Sequence, residues 1–197
     1  MSALGAAANN PRDMLILVDA ADRETGFLSK EACHQGAGRL HRAFSVFLFN
    51  RKGELLLQQR SAAKPLWPLY WSNSCCSHPR QGEAVEAAAR RRIAEELALG
   101  AELRFLYKFE YRAEYRGIGA EHELCWVFAG LADGEPRADA AEVADWRYVA
   151  PDELTAAIAT HPEQYTPWLQ LEWAQISTQY LPGIHTQELQ RHPSTLK

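Results

Sequence analysis

Two adjacent cysteines and a histidine stand within four residues, Cys75, Cys76, Ser77 and His78, in the stretch "WSNSCCSHPRQGE" over 71–83. Thiols and an imidazole so placed suit half a zinc site, an activated nucleophile, or no chemistry at all. A second Cys-x-x-Cys pair is missing, so a zinc ribbon is poorly supported. Inert buried thiols are the plain alternative, but a loop of Ser, Asn and Pro is a poor place to bury them, and functional residues concentrate in such loops.

Further along, "EHE" at 121–123 precedes an apolar run. Alternate residues of a strand share a face, so Glu121 and Glu123 point one way with Cys125 and Val127, and His122 points the other. Paired carboxylates at the mouth of an apolar face repel each other unless a cation or a proton stands between them. Taken alone, the pair also suits a solvent-facing hairpin end. His34 and His41 flank a Gly-containing loop, and His78 lies in the Cys-rich one. Should all five meet in space, they form a nitrogen and oxygen cage for one divalent ion. That donor set suits Zn, Mn, Fe or Mg and exceeds the four ligands of a structural zinc site.

The elements that must position these groups follow from pattern. "MLILVDAADRETGF" reads as a short buried strand and a polar turn closing at Gly26, and "KEACHQGAGRLH" as a loop without periodicity. "RAFSVFLFNRKGELLLQQR" is a hairpin turning over 50–53. A Pro, Trp and Ser-rich loop spans 61–82. "EAVEAAARRRIAEELAL" is the clearest helix, with Val85, Ala89, Ile93 and Leu97 in an apolar stripe. A second hairpin pairs "LRFLYKFEYRAEY" with "EHELCWVFAG" around Gly117 and Gly119, and "DWRYV" is a strand. Pro151 and Pro167 each stand where a first helical residue belongs. Strands, one central helix, more strands and terminal helices make an α/β (α+β) mixed-sheet sandwich with flanking helices.

The bulk numbers set limits. At 197 residues, 47% apolar and 23% charged, the chain can bury a core without staples. A net charge of −4 gives no global field for nucleic acid, so any anion site is local. No apolar run reaches a membrane span, and the N-terminus lacks a secretory pattern. Cys33, Cys75, Cys76 and Cys125 form no disulfide framework, which makes a reducing cytoplasm the expected compartment. Residues 1–12 read as a flexible tail, 13–182 as one catalytic domain and 183–197 as an irregular tail. Oligomeric state is open; Trp173 and Tyr180 suit either core or contact surface.

From Ser77 the pattern Ser-x5-Glu83-x7-Arg91-Arg92-Ile93-Ala94-Glu95-Glu96-Leu97 resembles a Nudix box. Arg92 replaces its first helical metal-binding Glu, and Ser77 and Ala98 replace its glycines. The plain alternative for Arg92 and Glu96 is an i,i+4 ion pair on a solvated helix. With "RLHRAFSVFLFN", "WSNSCCSHPRQGE" and "EYRAEYRGIGAEHELCWVF" in this order, the chain resembles the type I isopentenyl-diphosphate isomerases from about residue 14 to about 170.

That resemblance implies a Nudix-like fold and interconversion of isopentenyl diphosphate and dimethylallyl diphosphate. It also implies that His34, His41, His78, Glu121 and Glu123 hold an inner divalent metal, Mn²⁺, Mg²⁺ or Zn²⁺. Cys76 matches the catalytic cysteine, Glu123 the second acid/base and Tyr111 an assisting hydroxyl; Cys75 has no role. Glu96 and the carbonyl of Cys76 match the site of a Mg²⁺ that also holds the diphosphate. Lys30, Arg60, Lys64, Ser77 and Arg92 fall at diphosphate contacts, and Trp168 walls the prenyl pocket. Two rivals remain: a Nudix-type nucleoside diphosphate hydrolase, which needs the full glutamate set on the helix, and a metal-stabilised binding module without catalysis.

Overall fold

The computed structural model describes residues 14–132 and 134–185. The expected tail over 1–12 and residues 186–197 of the C-terminal tail lie outside them. Strands β1 (Met14–Val18) and β2 (Glu24–Ser29) form an antiparallel ribbon. Its turn falls at 19–22, not at Gly26, which lies within β2 opposite Leu17. The Asp19 carboxylate accepts the N–H groups of Ala21 and Arg23 there, an Asx-type turn that needs no glycine.

The stretch read as a loop after Ser29 begins as a short helix, α1 (Lys30–His34). Ser29 caps it, its Oγ accepting from the N–H of Ala32 at 3.3 Å. Five residues are too few to show a helical period. The hairpin β3 (His41–Phe49) and β4 (Leu55–Arg60) turns on Asn50, whose Oδ1 accepts from the N–H groups of Lys52 and Glu54.

The segment over 61–82 is not all loop: it contains β5 (Trp71–Ser72) and β6 (Cys75–Ser77). On one edge of β3, β1 pairs only at His41 and β4 only at Phe49. The hydrogen-bonding groups between them, at Phe44, Ser45 and Val46, are taken up by β6. Thus the Cys-rich stretch is strand because a gap in the sheet needs a partner.

After β6 come α2 (Val85–Leu97), the long hairpin β7 (Glu102–Tyr115) and β8 (Gly119–Leu131), and β9 (Val143–Val149). Helices α3 (Pro151–Thr160) and α4 (Pro167–Gln175) each begin at the expected proline. The chain continues through a π-helical turn, Ile176–Tyr180, into α5 (Leu181–His185), so the stretch expected to be irregular starts helically.

One mixed nine-stranded sheet results, with β3 at its centre. Along its other edge β3 runs parallel to β8, from His41 opposite Glu123 to Phe49 opposite Leu131. Both faces of β3 are covered, which explains its unbroken apolar run. Phe44, Val46 and Leu48 pack with Val85, Ala89, Ile93 and Leu97 of α2. Ala43, Phe47 and Phe49 pack on the other side with Leu154, Trp168, Leu169 and Trp173. Trp173 is therefore core, and Tyr180 stacks on Tyr107 at its margin.

Candidate active site and metal centre

Five side chains converge at one end of β3. His34 ends α1, His41 opens β3, His78 follows β6, and Glu121 and Glu123 share a face of β8. One ligating atom from each lies within 4.8 Å of all the others. His122 points away, to Glu110 at 2.9 Å, as alternation requires. Gly119 allows the approach of α1 to β8: a Cβ there would meet the carbonyl oxygen of His34 at 2.5 Å.

The polar atoms at the centre are arranged for a cation. His34 Nδ1 lies 2.5 Å from the carbonyl of Lys30 and His41 Nδ1 lies 2.7 Å from that of Arg39. In the neutral ring each Nδ1 therefore carries the proton, and each Nε2 turns a lone pair inward. His34 Nε2 faces Glu121 Oε2 at 2.7 Å without hydrogen-bond geometry, so that buried oxygen is unsatisfied. His41 Nε2 faces His78 Nε2 at 3.1 Å, and His78 Nε2 lies 3.0 Å from Glu123 Oε1. Lone pairs crowded in this way are costly unless positive charge stands among them, so the residues fit a divalent ion.

Titration behaviour agrees. Burial lowers the His78 pKa to about 4, leaving its imidazole neutral and free to ligate. Burial would raise Glu123, but its contacts with His41 and His78 outweigh that and hold the carboxyl well below its usual range. For His34 burial acts downward, yet the Glu121 carboxylate prevails and raises its pKa. Tyr111 donates its hydroxyl to Glu123 Oε2 at 2.6 Å.

The two adjacent cysteines separate by strand alternation. Cys75 is fully buried in the cluster under α2, and Cys76 faces the other side, into the cavity. Cys76 donates its thiol to Asn73 Oδ1 at 2.7 Å and lies 3.4 Å from Ser45 Oγ. The Asn73 amide is oriented by its own donations to the carbonyls of Val46 and Cys75. Burial first, and then the nearby Glu172 carboxyl, push the Cys76 pKa up, so the group stands as a thiol. Glu172 is itself buried, 3.6 Å from Cys125 Sγ, and burial lifts its pKa to about 8.

A cavity of about 660 Å³ joins these groups. Cys76, His78, Glu123, Tyr111 and Trp168 line it together with Lys30, Arg60, Lys64, Ser77 and Arg92. The Trp168 ring is fixed by donation from Nε1 to Ser72 Oγ at 3.0 Å and by an edge contact with Trp67. Arg60 sits 5.2 Å from the Trp168 ring centroid, and its Nε and Nη2 donate to the carbonyls of Trp67 and Leu66. Those donors order the loop that carries Trp67, the ring packed on Trp168.

Glu96 does not line the cavity; it lies buried behind Arg92, whose Nη2 reaches it at 2.5 Å. Arg92 also bonds Glu142 at 2.9 Å, and Glu142 contacts Lys64. Sequence reasoning missed Ser45, Asn73, Glu142 and Glu172. Ser45 carried a usable signal, a lone hydroxyl in an apolar strand; Glu172 carried another, an acid one turn beyond Trp168 among apolar residues.

A profile of the NUDIX domain matches residues 39–170. An isopentenyl-diphosphate Delta-isomerase of Nocardia farcinica is 49% identical over 78% of this chain and 88% of its own length. Isopentenyl-diphosphate Delta-isomerase 1 of Photorhabdus laumondii is 43% identical over 82% of this chain and 93% of its own. A solved structure from Deinococcus radiodurans superposes with a TM-score of 0.68 at 24% identity, covering 82% of this chain and 98% of that one, a likeness of fold.

Proposed function

The chain belongs to the isopentenyl-diphosphate Delta-isomerases of the NUDIX domain family, and from that premise we propose how its own residues carry the reaction. The enzyme interconverts isopentenyl diphosphate and dimethylallyl diphosphate. One carbon–carbon double bond moves by one position, through a proton gained at the terminal methylene carbon and another lost from the carbon next to the diphosphate-bearing one.

Protonation of an unactivated alkene leaves a tertiary carbocation, so two proton-transfer groups must reach different carbons of one short chain. Cys76 and Glu123 are those groups. They come from strands on opposite edges of β3 and line one cavity. One gives a proton and the other takes one, and the roles exchange in the reverse direction. Tyr111 holds Glu123 Oε2 and shares its proton traffic. The Cys76 thiol keeps its proton against Asn73 Oδ1 until the double bond arrives.

The diphosphate does not react; its binding energy holds the small apolar tail in register. Lys30, Lys64, Arg92 and Ser77 take it, and Arg60 braces the wall beside it. Trp168 and Tyr111 face the tail, where an aromatic surface in a dry site stabilises a cation by about 2 kcal/mol. An inner Mn²⁺, Mg²⁺ or Zn²⁺ held by His34, His41, His78, Glu121 and Glu123 would supply the charge that orders these carboxylates. A Mg²⁺ at Glu96 and the carbonyl of Cys76 would share the diphosphate charge only once Arg92, which bonds Glu96 at 2.5 Å, turns away from it.

The hydrolase reading is disfavoured by the state of α2 and its approach. Glu83 is held by Arg91, and Glu95 by Arg91 and Arg92. The partner is a small diphosphate, with no basic field for nucleic acid at a net charge of −4. Among the described residues no helix is long and apolar enough to cross a membrane. Four free cysteines favour the cytoplasm.

The observation that carries this reading is one cavity lined by a thiol, a caged carboxylate, aromatic rings, lysine and arginine. Incubation with Mg²⁺ and isopentenyl diphosphate, followed by NMR, is expected to yield dimethylallyl diphosphate without phosphate release. Release of phosphate or pyrophosphate would favour a hydrolase, and an unchanged spectrum a binding module.

A further inference from the structure

Lys64 and Arg92 line the cavity already paired with an anion. Between them lies Glu142, a residue of the segment before β9 that also lines the cavity. Its Oε1 accepts from Arg92 Nη2 at 2.9 Å and its Oε2 contacts Lys64 Nζ. The backbone fixes this bridge. The carbonyl of Glu142 accepts from the N–H of Ser61 at 3.0 Å, and the carbonyl of Ser61 accepts from the N–H of Lys64 at 3.1 Å. Carboxylate and lysine therefore hang from one hydrogen-bonded joint.

A carboxylate and a phosphoryl group engage ammonium and guanidinium groups with similar oxygen geometry. Glu142 thus takes the position of an anion between the cations that the proposed reading assigns to the diphosphate. We propose that Glu142 is a specificity-determining clasp, an internal anion that the substrate diphosphate must displace and whose charge selects the Mg²⁺-complexed diphosphate over free anions. This rests on the reading of Lys64 and Arg92 given above.

The selection follows from charge. Glu96 and Glu142 both bond Arg92 Nη2 and Glu95 bonds Nη1, so three carboxylates already share one guanidinium. A metal-free diphosphate brings further negative charge to that place and meets like-charge repulsion. A diphosphate carrying Mg²⁺ brings compensation with it. Burial would raise the Glu142 carboxyl, but Lys64 and Arg92 outweigh it and draw its pKa to about 2, so the clasp is charged at every working pH.

Calorimetric titration of inorganic pyrophosphate into the enzyme as purified, with and without added Mg²⁺, tests the clasp. Glu142→Gln keeps the shape and removes the charge. Without Mg²⁺ it is expected to bind pyrophosphate about tenfold more tightly than wild type, with a smaller gain in Mg²⁺, so that the metal dependence flattens. Unchanged or weaker metal-free binding would overturn the proposal, because the carboxylate would then serve to hold the cations in place. If melting curves show that Glu142→Gln does not fold, Glu142→Ala must give the same sign of change, and its failure to do so overturns the clasp equally. Turnover of isopentenyl diphosphate by the same wild-type preparation separates the two readings. Wild type that isomerises beside an unaltered variant sinks the clasp alone, and wild type that does not isomerise sinks the assigned reaction.

Discussion

Cys75 and Cys76 are neighbours in the chain and face opposite sides of the sheet. Cys75 is sealed beneath α2, and Cys76 points its sulfur into the cavity, 2.7 Å from Asn73 Oδ1. Pairing of Ser45 with Cys76 across β3 and β6 sets that register.

The two thiols should therefore respond differently to the same substitution. Cys76→Ala removes the proposed proton-transfer group and should lower kcat by about 10³-fold or more with an unchanged melting curve. Cys75→Ala should leave kcat near wild type and cost about 1 kcal/mol of stability, through a small core void. Steady-state rates and thermal melts of both variants check this. A reversed pattern would mean that the strand is out of register by one residue.

Tyr111→Phe tests the partner of the caged carboxylate. The hydroxyl sits 2.6 Å from Glu123 Oε2 and bonds none of the cations proposed to take the diphosphate. A hydrogen bond to a charged group contributes about 1.5–3 kcal/mol, so kcat should fall roughly tenfold to a hundredfold with KM little changed. A change confined to KM would contradict the assignment.

Metal loading should release protons. The His34 pKa lies above its ordinary value because Glu121 outweighs burial, so at pH below that raised value the metal-free imidazole carries a second proton, on Nε2, that a cation must displace. Metal affinity should rise with pH through the raised pKa of His34 and level off above it. Stability of the metal-free protein runs the other way: the contribution of the His34–Glu121 pair is fully present below about 6.5 and is lost as pH rises through the raised value. Calorimetry of metal binding in two buffers of different ionisation enthalpy reads the released protons. No release at pH below the raised pKa of His34 would contradict the pairing.

Much of this site was legible because strands and helices repeat. Alternation put Glu121 and Glu123 on one face and His122 on the other, and the four-residue stripe of α2 marked its buried side. Proline marked the starts of α3 and α4. What was not legible depends on distant partners. β6 exists because β3 has an unpaired edge, and its Cys76 meets Ser45 from 31 residues away. Glu142 reaches Lys64 across 78 residues, and no local pattern announces that contact. Residues 30–34 lacked a visible period because one capped turn is too short to have one.

Ala98 offers a test of the helix end. It caps α2 with φ at +53°, the left-handed region, and its N–H reaches the carbonyl of Ala94. A side chain costs about 1–2 kcal/mol there, partly offset by the greater freedom of glycine in the unfolded chain. Ala98→Gly should therefore raise stability by about 0.5–1 kcal/mol, read by chemical denaturation. A loss of stability would show that the αL position is not strained.

Turnover in heavy water reaches the central claim most directly, since a thiol and a carboxylate that trade protons with solvent must leave an isotopic record. Wild-type enzyme given isopentenyl diphosphate should form dimethylallyl diphosphate with deuterium in a methyl group. The recovered isopentenyl diphosphate should carry deuterium at the carbon next to the diphosphate-bearing one. Dimethylallyl diphosphate formed without any deuterium would mean that the hydrogen shifts within the substrate, and that neither Cys76 nor Glu123 is the proton-transfer group assigned to it.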